Sequence, residues 1–185
     1  ASPTMTEASN YSLVPMPHRR SLRDEEITIA EVLSEAGYTS AHFGKWHIDG
    51  GGPEANGYDG GDGNTANQNA WPLDDPENPL DVIGMSHRAL DFMRRADESD
   101  TPFFVQISYY PLHEEQNTSP ETLARVEARE RGTVHDNALV SAITEDLDVG
   151  VGIIMEGLET LGLEDNTYLI YMGDNGHRDK DNPVR

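Results

Sequence analysis

Helical and strand-like apolar patterns alternate three times along the chain, and this order limits the fold more than any other feature. Apolar residues recur at helical spacing in residues 28–36, 82–96 and 139–161. A short strand-like run follows each of them, at residues 39–43, 103–110 and 167–172. Parallel strands need long crossovers, which are usually helices. The sequence therefore predicts an α/β fold with a small, largely parallel sheet.

Two long polar stretches interrupt this alternation. Residues 49–79 are rich in Gly, Asn, Asp and Pro without periodicity, and residues 114–134 are polar apart from a short helix predicted from Pro120. A loop as long as the first is usually functional inside a compact domain, or marks missing structure. Gly150 and Gly152 are expected to interrupt the last helix, and Gly162 to close it.

Polar side chains follow each predicted strand at the point where it ends. Lys45 and His47 follow the first strand, His113 follows the second, and Asp174 with Asn175 follows the third. Ligands of open α/β sheets bind at the carboxyl ends of the strands, so these residues are predicted to form one site. Lys45 and His47 are two apart and would share a face in extended chain, as a pair suited to an anion.

Asp174 and Asn175 offer a carboxylate and an amide oxygen on a turn between glycines. Hard oxygen donors suit Ca²⁺ or Mg²⁺ rather than a soft metal, but two ligands are too few to close a site. Taken singly, each candidate also has a plain structural interpretation: Asp-Asn-Gly is a common turn, His113 a loop histidine and Lys45 a solvated lysine. The structural interpretation is favoured for the remaining histidines, which are His18, His42, His87, His135 and His177.

Composition excludes several classes of partner and of site. Thirty-four acidic residues against 13 Lys and Arg give a formal charge of −21, which argues against nucleic acid or an anionic membrane surface. The absence of cysteine excludes disulfides, thiolate metal sites and cysteine nucleophiles for the sequence as written. No run approaches a membrane span, and the start has neither a signal peptide nor an initiator Met. The chain is therefore expected to be a processed or partial product, without indication of its compartment or oligomeric state.

Five blocks of the sequence resemble the motifs of a single enzyme family. The run GYTSAHFGKWH at residues 37–47 resembles a signature of the form GY-x-T-A-x-x-GKWH. Residues 101–113 look like a PFF strand with a downstream histidine, and residues 145–152 like the helix before a metal-binding strand. Residues 173–176, GDNG, are similar to an S-D-N-G metal motif, and residues 182–185 to a later N-x-P-x-R segment. In these motifs and in their order the chain resembles the type I sulfatases of the alkaline-phosphatase superfamily.

The resemblance implies an alkaline-phosphatase-like α/β sandwich, with helices on both faces of the sheet, and hydrolysis of sulfate esters. Calcium or magnesium would be held by an early Asp-Asp pair together with Asp174 and Asn175. The implied nucleophile is a formylglycine made from Cys or Ser in a C/S-x-P-x-R motif. Lys45 resembles the lysine that neutralises sulfate, His47 the histidine that helps to expel sulfate, and His113 the histidine that contacts the leaving oxygen.

Two parts of the family pattern are missing from the sequence. There is no early Asp-Asp strand and no C/S-x-P-x-R motif, since residues 1–5 read ASPTM, with Ala and Met where the nucleophile and the arginine belong. Residues 1–185 are therefore interpreted as an incomplete, N-terminal portion of a sulfatase catalytic domain. As written, this portion is not expected to be active, whereas the intact protein is.

Two other functions stay open at this point. A phosphomonoester or phosphonate hydrolase of the same superfamily would use the same residues for a tetrahedral oxyanion, and an inactive, cation-binding homologue would account for the missing nucleophile. The substrate is expected to be a small-molecule ester, such as an aryl sulfate, or a sulfated carbohydrate. Tyr58 and Trp71 are candidates for stacking against its ring.

Overall fold

A computed structural model describes residues 19–69, 75–113, 117–133 and 136–174. Within these ranges the chain forms four α-helices and three strands. The helices are α1 (Ile29–Glu35), α2 (Val82–Glu98), α3 (Pro120–Glu127) and α4 (Ala138–Leu161). The strands are β1 (Thr39–Gly44), β2 (Gly60–Gly61) and β3 (Phe103–Ser108).

The three strands form one parallel sheet in the order β2, β1, β3. The register of the main pair joins Thr39 to Phe103 at one end and Gly44 to Ser108 at the other. The first two predicted strands are therefore confirmed as a parallel pair connected through α2. Their carboxyl ends lie at the same edge of the sheet, next to each other.

Two helix ends carry the caps that their sequence predicts. Thr28 forms a capping box with Glu31 at the start of α1, and Gly162 ends α4 in the left-handed conformation, at φ +68°. The predicted interruption of α4 is wrong, because the helix is continuous through Gly150. A Cβ on Gly150 would lie 2.5 Å from a methyl of Val82, so the glycine allows close packing of α4 on α2. No helix in the described ranges is long and apolar enough to cross a membrane.

The main core lies where β1, α2 and α4 meet. Its buried residues come in pairs from these three elements: Ala41 and Phe43, Ala89 and Met93, Ile154 and Leu158. The pairs in α2 and α4 are four residues apart, so each lies on one face of its helix. This packing fixes α2 against β1 and β3, and so fixes the direction in which the two strands end.

The prediction of a third strand at residues 167–172 is wrong. These residues form neither helix nor strand and pair with none of the three described strands. Their large apolar side chains face solvent, with Tyr168 98% and Ile170 81% exposed. The apolar run has the composition of a strand, but composition supplies no neighbour, and a strand also needs a sheet edge with which to pair.

Candidate active site

The turn that follows β1 has a backbone that few residues could adopt. Gly44, the last residue of β1, has φ +87°, and His47 has φ +59°. A Cβ at Gly44 would lie 2.2 Å from the carbonyl oxygen of Ser108, so only glycine fits there. Histidine is one of the few other residues enriched in the left-handed region. Lys45 is half-buried in this turn and His47 is exposed.

Four consecutive main-chain N–H groups hold this turn in place. Those of Gly44 and Lys45 donate to the Asp62 carboxylate and the Ser108 carbonyl, each at 2.8 Å. Those of Trp46 and His47 donate to the hydroxyl and the carbonyl of Thr65, at 3.0 and 2.7 Å. The turn that carries Lys45 and His47 is therefore attached to β3 on one side and to residues 62–65 on the other.

An ion network supports the turn from α2. The Arg88 guanidinium donates to both carboxylate oxygens of Asp62, at 2.8 and 2.7 Å, and to Asp81 at 2.7 Å. Burial of the guanidinium by itself would lower the pKa of Arg88, but the hydrogen bonds and charges of the two carboxylates outweigh it and raise that pKa. Arg88 is therefore a fixed cation that holds Asp62 in position to accept from Gly44.

His42 lies beneath the turn and is part of the packing. It is 1% exposed, its Nε2 lies 3.0 Å from the Ser108 hydroxyl, and its ring meets those of Trp46 and Tyr58 edge to face. Burial lowers the pKa of His42 because the cation loses hydration, against the opposing charge of Asp62. Tyr58 is also buried and donates to Gln106 at 3.0 Å, so its proposed role in stacking against a substrate ring is wrong.

The chain after β3 brings two tyrosines and His113 to the same edge of the sheet. The hydroxyl of Tyr109 lies 2.6 Å from that of Ser86 on α2, and burial raises the pKa of Tyr109. Burial also raises the pKa of Tyr110, with hydrogen bonding to Thr65 acting against it. Leu112 has φ +70°, and His113 is half-buried directly after it. His113 therefore follows a fixed strand end that pairs with the turn carrying Lys45.

Asp174 is not joined to these strand ends through the sheet, because the residues before it, 167–172, pair with no described strand. Its side chain is exposed, and Asn175 and Trp71 lie outside the described residues. In the described ranges, no three histidine or acidic side chains come together as a metal site would need. The described residues thus do not by themselves fit a closed calcium or magnesium site.

Sequence reasoning missed the three residues that hold the turn, Asp62, Thr65 and Arg88. Asp62 stands in the run GGDGN, which predicts only a turn, and Thr65 follows it without periodicity. Arg88 lies on the predicted helix 82–96, where helical spacing would pair it with Asp91, three residues later, and not with Asp62. Their contacts with the turn and with one another link residues 18 to 26 apart, and helical or strand spacing does not encode such contacts.

The sequence profile of the sulfatase family matches residues 3–184. An ulvan-active sulfatase of Formosa agariphila is 25% identical to the chain, and human arylsulfatase A is 29% identical. Each alignment covers 89% of this chain and 38% of the relative, so the chain spans about two fifths of the length of these relatives.

Solved structures agree at the level of the fold. The Bacteroides fragilis protein yidJ superimposes with a TM-score of 0.61 at 17% identity, over 79% of this chain and 43% of that one. Ps i-CgsB in complex with k-i-k-neocarrahexaose gives a TM-score of 0.58 at 19% identity, over 75% and 37% of the two chains. The predicted α/β, alkaline-phosphatase-like fold is confirmed, and the profile match over nearly the whole sequence shows that the chain belongs to the sulfatase family.

Proposed function

We propose that this chain is the N-terminal portion of a sulfatase catalytic domain, and that the full-length protein hydrolyses sulfuric esters. The observation that carries the proposal is the turn after β1. It presents a lysine and a histidine with every main-chain N–H from Gly44 to His47 hydrogen-bonded. A site fixed before the substrate arrives is what charge stabilisation in a transition state requires.

Lys45, His47 and His113 are the proposed catalytic residues, and Lys45 and His113 also bind the substrate. Sulfuryl transfer increases negative charge on the oxygens of the sulfate and on the leaving oxygen. In this proposal the ammonium of Lys45 pairs with sulfate oxygens, and the imidazoles of His47 and His113 supply hydrogen bonds or a proton to oxygens that gain charge. The half-burial of Lys45 and its attachment to β3 support this assignment, because they limit where its ammonium can lie.

The metal and the nucleophile of this proposal depend on residues beyond those described. Asp174 and Asn175 are proposed ligands of Ca²⁺ or Mg²⁺, and further carboxylates would have to complete the site. A formylglycine, the nucleophile expected in this family, would supply the oxygen that attacks sulfur, and its Cys or Ser motif is absent from the 185 residues. The proposed roles of Lys45, His47 and His113 do not depend on which residue provides that oxygen.

A sulfated carbohydrate and an aryl sulfate are the two substrate classes to compare. One relative is named for activity on ulvan and another is an arylsulfatase. Both alignments cover a minority of the relative, so they support the family more than the substrate. Loops decide specificity in enzymes of this kind, and the polar segment 49–79, which contains β2, is the candidate for that role.

The decisive assay uses the full-length protein with matched esters. Initial rates on 4-nitrophenyl sulfate, 4-nitrophenyl phosphate and a sulfated oligosaccharide are compared in the presence of Ca²⁺ or Mg²⁺. We expect a clear preference for a sulfate ester, and a lower kcat in Lys45→Ala. A preference for the phosphate would favour the phosphomonoester hydrolase instead. Retained cation binding without hydrolysis of any ester would favour the inactive homologue.

A further inference from the structure

We propose that Thr65 is a positioning residue for the catalytic turn, and this inference rests on the proposed function. Thr65 is 8% exposed and lies 21 residues after Gly44 in the chain. Its hydroxyl donates to the carbonyl of Gly44 and accepts from the N–H of Trp46, at 3.0 Å for the second bond. Its own carbonyl accepts from the N–H of His47 at 2.7 Å. One residue thus holds three main-chain groups around Lys45.

The hydroxyl of Thr65 bonds to both sides of the turn. It donates its proton to the Gly44 carbonyl and accepts from the N–H of Trp46. Tyr110, which follows β3, also hydrogen-bonds with this side chain. Because the hydroxyl bridges Gly44 and Trp46, it determines the path of the main chain on which Lys45 lies between them.

Thr65 also holds the left-handed conformation of His47. A non-glycine residue at positive φ persists only where its surroundings hold it. The His47 N–H donates to the main-chain carbonyl of Thr65, and the two hydroxyl bonds of Thr65 hold residue 65 where that carbonyl can accept. If residue 65 shifts, the imidazole of His47 and the ammonium of Lys45 no longer share one arrangement. Errors of about 1 Å in such groups lower rates by about 100-fold.

A matched pair of variants separates this role from general stability. Thr28 has the same chemistry: its hydroxyl donates to the carbonyl of Asn56 at 2.9 Å and accepts from the N–H of Glu31 at 3.2 Å. None of its hydrogen bonds reaches the turn. Thr65→Val and Thr28→Val therefore remove the same two hydrogen bonds at two places. Thr65→Ser keeps the hydroxyl and tests for rescue.

The experiment measures kinetics and hydrogen exchange in the full-length protein. We expect Thr65→Val to lower kcat about 10- to 100-fold with a smaller change in KM, and Thr65→Ser and Thr28→Val to stay within about threefold of wild type. Exchange mass spectrometry should show lost protection in residues 44–48 for Thr65→Val. It should show lost protection near Glu31, and not in the turn, for Thr28→Val.

Two results would overturn the inference. One is equal loss of kcat in Thr65→Val and Thr28→Val, since a general loss of stability would then explain both. The other is unchanged exchange of residues 44–48 in Thr65→Val. If Thr65→Val does not fold, failure of Thr65→Ser to retain both kcat and protection is the overturning result. If the wild-type protein hydrolyses no sulfate ester, the proposed function fails, and the exchange of residues 44–48 still decides whether Thr65 holds the turn.

Discussion

Arg88 donates two hydrogen bonds to Asp62, and the same carboxylate accepts the main-chain N–H of Gly44. A helix is thereby connected to the turn after β1 through one side chain. Arg88 is 41% exposed but Asp62 only 17%, so the carboxylate depends on the guanidinium more than on water. The network links the stability of the fold to the position of the proposed catalytic residues.

Replacing Arg88 should therefore cost stability. Arg88→Met leaves Asp62 and Asp81 without their shared cation, and after allowance for the exposed side of the pair we expect a loss of about 1–2 kcal/mol. Urea denaturation of the variant and the wild type measures it. Arg94→Met is the control, because Arg94 makes only exposed ion pairs within α2. Equal denaturation midpoints for Arg88→Met and Arg94→Met would contradict the prediction.

Gly37 and Gly44 have nearly equal φ values but different surroundings. Their alanine variants therefore separate the cost of a left-handed backbone from the cost of a steric clash. Gly37 has φ +85° with open space around a Cβ, whereas a Cβ at Gly44, at φ +87°, meets the Ser108 carbonyl at 2.2 Å. Gly37→Ala should cost about 1 kcal/mol from the left-handed conformation alone. Gly44→Ala should lower the free energy of unfolding clearly more, because the main chain of Gly44 or of Ser108 has to move to admit the Cβ. Thermal denaturation compares them, and a similar loss in both would show that the strands separate easily.

The stability of the protein should depend on pH through His42. Burial lowers the pKa of His42 in the folded state below its ordinary value of 6.5. As the pH falls through the unfolded pKa, the unfolded chain therefore takes up a proton that folded His42 does not, and the free energy of unfolding decreases. The slope from one such group is at most about 1.4 kcal/mol per pH unit. His42 contributes no such dependence well above pH 6.5.

Denaturation of His42→Gln and wild type between pH 7.5 and about 5 tests this, the range being chosen around an unperturbed histidine. The variant should lose less stability on acidification than the wild type. His87→Gln is the control, since it removes a histidine that is exposed on α2. An unchanged slope in His42→Gln would mean that His42 accepts a proton in the folded state.

Asp174 should be needed for calcium binding by the full-length protein if it is a ligand. Asp174→Ala should then lower Ca²⁺ affinity strongly and abolish hydrolysis, whereas Lys45→Ala should reduce turnover with the metal still bound. The 185-residue chain alone should bind Ca²⁺ weakly or not at all. Calorimetry measures all of these affinities. Asp165→Ala is the control, as an exposed carboxylate on the preceding turn, and equal affinity in Asp174→Ala and wild type would show that Asp174 is only a turn residue.

Local patterns were sufficient to predict the helices and the main strand pair. The apolar spacing of residues 82–96 predicts α2, and the parallel pairing of β1 with β3 follows from the helix between them. The same reasoning correctly puts Lys45 after one strand and His113 after its neighbour. These features depend on contacts between residues close in the sequence, or on the rule that parallel strands are joined by a crossover helix. Both can be read from one sequence.

The predictions that failed concern elements whose partners are distant in the chain. The run at residues 167–172 has strand composition, but its sheet neighbour is not among the described strands. The strand beside β1 is instead a pair of glycines, Gly60 and Gly61, which strand propensity would reject. The close approach of the two main chains selects glycine at Gly61, since a Cβ there would lie 2.1 Å from the carbonyl oxygen of His42.

The exposed run at residues 167–172 has a further consequence for how the 185-residue chain behaves in solution. It contains Tyr, Leu, Ile and Met without charge, proline or glycine, which is the composition of segments that join copies of a chain edge to edge. The formal charge of −21 opposes this association by repulsion. Added salt screens that repulsion and leaves the apolar attraction in place. Light scattering from the chain should therefore rise with ionic strength, the reverse of a protein whose copies are held together by ion pairs.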